Sequence, residues 1–118
     1  MLDHVAIPVS DFEAGRKFYE AVLEPLGAKV MMEFPGVVLL GTEDGMVAIR
    51  ADDKVTPMHL AFRTDRAGVQ RFYDTAMAAG ASDNGPPGVR SDYHPNYFAA
   101  FVKDPDGHNI EAVCHTPE

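Results

Sequence analysis

The stretch Leu2-Asp3-His4-Val5-Ala6-Ile7-Pro8-Val9 decides the fold, because a similar stretch, Pro57-Met58-His59-Leu60-Ala61-Phe62-Arg63-Thr64, returns later in the chain. Both stretches alternate between larger apolar side chains and smaller or polar ones, which is typical of strands that bury one face. Each is followed by a segment with apolar residues at helical spacing, 11–26 in the first copy and 65–79 in the second. The sequence is therefore organised as two copies of one unit.

Further matches extend this repeat into the remaining elements. Phe18-Tyr19 matches Phe72-Tyr73 within the helices, and a glycine ends each helix. Strands are predicted at 28–34, 37–41 and 46–50 in the first copy and at 97–103 and 109–114 in the second. The segment 82–95 is too rich in proline and glycine for a long internal strand, so we expect a surface loop or a lid. The predicted fold is α+β: two βαβββ modules, about 1–54 and 55–118, within a single domain at 1–118.

Composition limits the classes of partner. The chain has 118 residues, of which 46% are hydrophobic and 24% charged, as in an ordinary globular domain. A formal net charge of −8 argues against nucleic acid, which requires a basic face. No apolar run approaches the ~20 residues of a membrane span, and the N-terminus does not resemble a secretion signal. A single cysteine, Cys114, fits a reducing cytoplasm. We therefore expect a cytoplasmic protein that acts on a small molecule or another protein.

Strand parity places three potential metal ligands on one kind of face. Alternate side chains of a strand point to opposite sides, so His4, His59 and Glu111 fall on the side that lacks a helix. Two imidazoles and one carboxylate suit Fe(II), Zn, Mn, Ni or Co, and three protein ligands leave positions open for water or substrate. The sequence therefore predicts a catalytic rather than a closed structural metal site.

Other polar side chains are candidates for substrate contact or proton transfer. Tyr93, His94 and Tyr97 lie in or beside the segment 82–95 and are the predicted catalytic acid–base groups. Arg63 is predicted to steady an anionic substrate. Asn109, which shares the parity of Glu111, is the second predicted substrate-binding residue.

The sequence resembles the vicinal oxygen chelate superfamily, which contains glyoxalase I, bleomycin-resistance proteins and extradiol dioxygenases. The resemblance covers nearly the whole chain and rests on 2–6, Phe18-Tyr19, 58–62 and, above all, the stretch FAAFVKDPDGHNIE at 98–111. It implies paired βαβββ modules that form an open barrel-like cleft around a metal ion. It also implies that His4, His59 and Glu111 occupy the ligand positions, and that a two-module chain forms a homodimer.

The chain departs from glyoxalase I at one position. That enzyme has a carboxylate ligand at the end of the first module, and aligning the Asp-Gly turns of the two modules places Ile49 there. Isoleucine neither binds a metal nor moves a proton, so the His/His/Glu set favours a chemistry like that of extradiol dioxygenases. A glyoxalase I-type lyase and a metal-free drug-binding protein remain as alternatives, and the retained ligand set favours an enzyme over the latter.

Three residues near the second turn and the C-terminus receive ordinary structural interpretations. We expect His108 to lie in a turn or at the surface and Cys114 to be a small buried residue. His115 is expected either to flank the cleft or to belong to a frayed terminus.

Overall fold

Two successive strand–helix–strand segments make up the chain in the computed structural model, which describes all 118 residues. The chain divides into two units, Met1–Thr56 and Pro57–Glu118. No helix is both long and apolar enough to cross a membrane.

The first unit is a four-stranded mixed sheet with one helix on one face. The elements are β1 (His4–Val9), α1 (Phe12–Leu23), β2 (Lys29–Phe34), β3 (Val37–Thr42) and β4 (Gly45–Ala51). The sheet order is β1-β4-β3-β2, with β1 parallel to β4 and the other pairs antiparallel. The helix α1 is followed by one 3-10 turn at Glu24–Leu26.

The second unit repeats this topology with one change. The elements are β5 (His59–Arg63), α2 (Arg66–Ala78), β6 (Ser82–Asp83), β7 (Gly88–Val89), β8 (Phe98–Lys103) and β9 (Asn109–Cys114). The sheet has the order β5-β9-β8-β6, and β7 also pairs with β8. The two-residue strands β6 and β7 thus take the place that the continuous strand β2 has in the first sheet. The prediction of an α+β fold built from two such modules is confirmed, and 82–95 contains no long strand.

Local sequence signals explain where the helices begin and end. Asp11 accepts a hydrogen bond from the N–H of Ala14 at 3.1 Å, and Asp65 accepts one from the N–H of Gly68 at 2.7 Å. Both aspartates therefore act as N-caps. Gly27 closes the end of the first helical segment with a φ of 88°, a conformation that glycine adopts without steric cost.

Burial follows the predicted strand parity. On β1 the residues Ile7 and Val9 are buried, whereas His4 and Ala6 are exposed. On β5 the side chains of the His59 parity are exposed and those between them are partly buried. Each sheet therefore buries one face beneath its own helix and leaves its histidine on the other. The core of the first unit includes Ile7, Val9, Phe18, Tyr19, Val22, Val38 and Ile49, and that of the second includes Val69, Phe72, Ala76, Val102, Ile110 and Ala112.

Close packing of α1 on β1 makes Gly15→Ala a test of the fold. In an open helix this change stabilises by about 1 kcal/mol. Here a Cβ on Gly15 would lie 2.8–2.9 Å from the Val9 side chain, which is itself only 1% exposed. We expect a net loss of about 1–3 kcal/mol in the free energy of unfolding, measured by denaturant titration.

The double variant Val9→Ala/Gly15→Ala serves as the control. It makes room for the added methyl group, so the cost of Gly15→Ala should be smaller in the Val9→Ala background. An equal cost in both backgrounds would contradict packing against Val9 as the cause.

Candidate functional site

Glu111 lies at the centre of the helix-free face of the second sheet. The parallel register of β5 and β9 places Ala61 beside Glu111 and His59 beside Asn109. On the other side, β8 places Phe101 beside Glu111. The small Ala61 side chain leaves room next to the carboxylate.

The carboxylate of Glu111 is buried and faces the imidazole of His59. Glu111 is 1% exposed, and its Oε1 lies 3.1 Å from Nε2 of His59, whose side chain is half exposed. The ring of His59 also lies roughly parallel to that of Phe101, with a centroid separation of 6.3 Å. A buried carboxylate requires partners that offset the loss of hydration.

The other nitrogen of His59 fixes the tautomer of the ring. Nδ1 lies 3.0 Å from the carbonyl oxygen of Asn109, which only accepts, so Nδ1 carries a proton and donates it. In the neutral ring Nε2 then carries a lone pair and faces a carboxylate oxygen, which also only accepts. A cation resolves this arrangement, either a proton on His59 or a metal ion bound by both groups. An imidazole whose second nitrogen donates to a carbonyl is also the usual form of a metal ligand. The donor set therefore fits a divalent metal.

The second oxygen of Glu111 accepts a hydrogen bond from Tyr97. The Tyr97 hydroxyl donates to Oε2, so Oε1 is left for His59. Burial of Tyr97 is the larger cause, and this hydrogen bond the second, of a rise in its pKa from 10 to about 12. Tyr97 therefore holds its proton throughout the neutral range and acts as a donor to Glu111.

Tyr97 belongs to a group of four rings, which we call the Tyr97 cluster: Tyr93, His94, Tyr97 and His115. The other three rings lie 4.8–5.4 Å from that of Tyr97 and edge-on to it. Both nitrogens of His94 are engaged: Nδ1 accepts from the N–H of Asn96 at 3.0 Å, and Nε2 lies 2.9 Å from Nδ1 of His115. Tyr93 is the outer member, 66% exposed.

The third predicted ligand, His4, lies on the helix-free face of the first sheet. Its Nδ1 donates to the carboxylate of Asp3 at 2.7 Å, so Nε2 carries the lone pair, as in His59. The two predicted ligands that the structure brings together are His59 and Glu111. No group of three or more His, Cys, Asp or Glu side chains is arranged as a metal site.

The two predicted substrate-binding residues differ in their surroundings. Arg63 is exposed on the helix-free side of β5. Asn109 is partly buried, and its side-chain oxygen accepts a hydrogen bond from the amide of Asn84 at 3.1 Å. Asn109 meets another candidate through its backbone, whose carbonyl accepts from Nδ1 of His59.

The strand registers correct the predicted counterpart of Glu111 in the first unit. Ala61 pairs with Glu111, and the equivalent Ala6 pairs with Ala48, so the counterpart is Ala48 and not Ile49. The turn after Asp106-Gly107 contains one residue more than the turn after Asp44-Gly45, which shifts the alignment by one position. Ile49 lies on the buried side of its strand. Ala48 also lacks a metal-binding atom, so the first unit offers no carboxylate at this position.

The extra residue of that turn is His108, which was expected in a turn or at the surface. It lies in the turn, and the surface alternative is wrong. His108 is 0% exposed, and its Nδ1 accepts a hydrogen bond from the N–H of Met58 at 2.9 Å. Its own N–H donates to Asp104 at 2.7 Å. The buried imidazole therefore ties the turn to the residue that precedes His59. Cys114, in contrast, is buried as predicted.

Comparisons with known proteins place the chain in a family. The sequence matches the Glyoxalase/Bleomycin resistance protein/Dioxygenase superfamily over residues 1–112. The chain belongs to this superfamily. A comparison with curated protein sequences gives no match.

Solved structures share the fold of this superfamily member at low sequence identity. A glyoxalase/bleomycin resistance protein from Albidiferax ferrireducens has a TM-score of 0.83 and 24% identity, with 97% of this chain and 98% of that chain covered. TioX from Micromonospora has a TM-score of 0.78 and 17% identity, with 98% and 99% covered. A protein described as an oxidase has a TM-score of 0.71 and 19% identity, with 99% and 94% covered.

The hydrogen bond from Tyr97 to Glu111 predicts a late phenol ionisation in metal-free protein. Absorbance titration of phenolate should show a step near pH 12 that Tyr97→Phe removes. Folding raises the pKa of Tyr97, so the protonated phenol stabilises the folded protein fully below pH 10. This stabilisation is lost as the pH rises through about 12.

Tyr73→Phe is the matched control for this titration. The Tyr73 hydroxyl also donates to a carboxylate, that of Asp83, at 3.0 Å. Tyr73→Phe removes this hydroxyl and should leave the ionisation step of Tyr97 in the titration unchanged. Ionisation of Tyr97 at the ordinary tyrosine pKa would show that the phenol does not hold Glu111.

Proposed function

We propose that this chain is a divalent-metal-dependent enzyme that chelates a small, oxygen-bearing substrate at His4, His59 and Glu111. The observation that carries the proposal is the position of His59 Nε2, which lies 3.1 Å from the buried carboxylate of Glu111 while Nδ1 is held by a backbone carbonyl. His4 is the proposed third ligand, since its own Nδ1 is engaged and its Nε2 is available. Fe(II), Zn, Mn, Ni and Co all accept this ligand set.

A bound metal would supply Lewis-acid stabilisation of negative charge that develops on the substrate oxygens. Glu111 would offer Oε1 to the metal while Tyr97 holds Oε2. With a pKa near 12, Tyr97 keeps its proton at neutral pH, so we assign it to orienting Glu111 and not to removing a substrate proton. His94 has both nitrogens engaged in hydrogen bonds. Its ring packs edge-on against that of Tyr97, so we assign it to holding Tyr97 in place.

The remaining proposed site residues would contact the substrate. Tyr93, the exposed member of the Tyr97 cluster, is the candidate for a direct polar contact. Arg63 would attract an anionic oxygen, and Asn109, held by Asn84, would offer its amide. From the family resemblance and the lone buried cysteine we also infer a cytoplasmic homodimer.

Two reaction types fit such a site unequally. A glyoxalase I-type isomerisation requires a base near the metal, and a second metal-bound carboxylate serves that role. Ala48 occupies the position where the first unit would supply one. This favours an oxygenation like that of extradiol dioxygenases, and one structural relative is itself described as an oxidase.

Metal binding is the first test of this proposal. Protein prepared without an affinity tag should bind one metal ion per site. His59→Ala and Glu111→Gln should weaken binding by more than the about 10- to 100-fold typical of outer-shell partners. Titration calorimetry with Fe(II), Zn, Mn, Ni and Co measures the affinity.

The control is Asp83→Asn, which alters the other tyrosine–carboxylate pair of the second unit and should leave affinity unchanged. If none of the metals binds stoichiometrically, the proposal fails. The site is then a metal-free ion pair between His59 and Glu111, and the drug-binding alternative is favoured.

The second test separates the reaction types. Fe(II)-loaded protein should consume oxygen with a panel of catechols, and Glu111→Gln should abolish the activity. Isomerisation of the methylglyoxal–glutathione adduct without oxygen uptake would favour the lyase alternative instead.

A further inference from the structure

We propose that His115 is a positioning residue of the metal centre, because its ring holds Tyr97 in the place from which Tyr97 orients Glu111. The inference rests on the proposed function and extends it to the segment that follows the last strand. It replaces the interpretation of His115 as part of a frayed terminus.

The chain is anchored on both sides of His115. Cys114, the last residue of β9, is only 2% exposed. Its Sγ lies 3.2 Å from Oγ1 of Thr116, so the residue directly after His115 contacts the end of the strand. The backbone thus holds His115 near the strand that carries Glu111.

The hydrogen bond between His94 and His115 has a defined direction. The N–H of Asn96 donates to Nδ1 of His94, so the neutral His94 ring carries its proton on Nε2. That proton points to Nδ1 of His115, 2.9 Å away, and His115 accepts it. The same direction leaves no lone pair on His94 Nε2, which argues against a second metal site between the two rings.

The His94–His115 pair forms two sides of a support for Tyr97. The two imidazoles stack with a centroid separation of 5.2 Å and meet the Tyr97 ring nearly at right angles. Tyr97 is also fixed at its backbone, whose N–H donates to the carbonyl of His94 at 3.2 Å. With backbone and ring both held, the hydroxyl is confined to Oε2 of Glu111. The contacts therefore lead from His115 through Tyr97 to the carboxylate that faces His59.

The experiment reads the positioning in metal-free and in metal-loaded protein. In metal-free protein, NMR follows the hydrogen-bonded hydroxyl proton of Tyr97, assigned by its absence in Tyr97→Phe. In metal-loaded protein, calorimetry follows Zn(II) affinity in a double-mutant cycle of His115→Ala and Tyr97→Phe. Pro117→Ala, in the same exposed segment, is the control for nonspecific effects of the terminus.

His115→Ala is expected to broaden or abolish the hydroxyl signal and to weaken Zn(II) binding about tenfold, the lower end for outer-shell partners. In the Tyr97→Phe background the same change should cost little, because His115 acts through Tyr97. His115→Phe, which retains a ring, should restore the signal. Loss of the signal in both variants also supports the proposal and assigns the effect to the hydrogen bond with His94.

An unchanged hydroxyl signal in His115→Ala would overturn the inference. The inference would also be overturned if His115→Ala weakened Zn(II) binding equally in the presence and in the absence of the Tyr97 hydroxyl. If the hydroxyl signal depends on His115 but neither the unaltered protein nor any variant binds Zn(II), His115 still positions Tyr97 and only the proposed metal centre is wrong.

Discussion

A buried carboxylate on an otherwise apolar strand is the constraint around which the second unit is built. Glu111 stands between Ile110 and Ala112, and its burial is as deep as theirs. Its two oxygens are held by different groups, Oε1 facing His59 and Oε2 accepting from Tyr97. An isolated buried carboxylate would be strongly destabilising, so these contacts are conditions for folding as well as features of a site.

The first unit shows that the fold itself has no need of this carboxylate. Ala48 occupies the same register position, and the same sheet topology forms around a methyl group. The second unit thus carries a costly side chain that its counterpart replaces with a small apolar one. Buried ionisable groups that a fold does not require are expected at functional sites. The comparison within one chain therefore supports a functional role for Glu111.

Much of the divergence between the units surrounds Glu111. Where the first sheet has the continuous strand β2, the second has the short strands β6 and β7, separated by residues that include Pro86 and Pro87. The chain that follows supplies three members of the Tyr97 cluster, and His115 joins them from beyond β9. The extra turn residue, His108, is buried against the backbone next to His59. Glycine and proline residues indicated the position of this break, and Tyr93, His94 and Tyr97 were the predicted polar candidates in or beside it. The pattern did not indicate that Tyr97 is the one that donates to Glu111.

Sequence reasoning succeeded where a simple periodicity governs the structure. Strand alternation predicted the helix-free side for His4 and His59, and the two helices followed from apolar spacing and the glycines that end them. The prediction from sequence failed where one turn contains an additional residue, because that residue shifts the alignment of the two units by one position. The Asp-Gly motifs suggested Ile49 as the counterpart of Glu111, whereas the register is set by hydrogen bonds from Met46 to Asp3 and from Asn109 to Met58. Chain position alone likewise made His115 look like a terminus, because its partners are distant in sequence.

The repeat extends to the chemistry of its histidines. His4 and His59 occupy equivalent positions, and in each ring the Nδ1–H group donates a hydrogen bond to an oxygen atom. The acceptors differ: the adjacent carboxylate of Asp3 serves His4, and a backbone carbonyl from the neighbouring strand serves His59. Two different local solutions thus produce the same tautomer, with the lone pair on Nε2. Strand parity alone would place a histidine on this face, but it would not fix which nitrogen carries the proton. A histidine that binds a metal usually donates its other ring N–H to such an oxygen acceptor, so both rings have a form that is compatible with the proposed role as ligands.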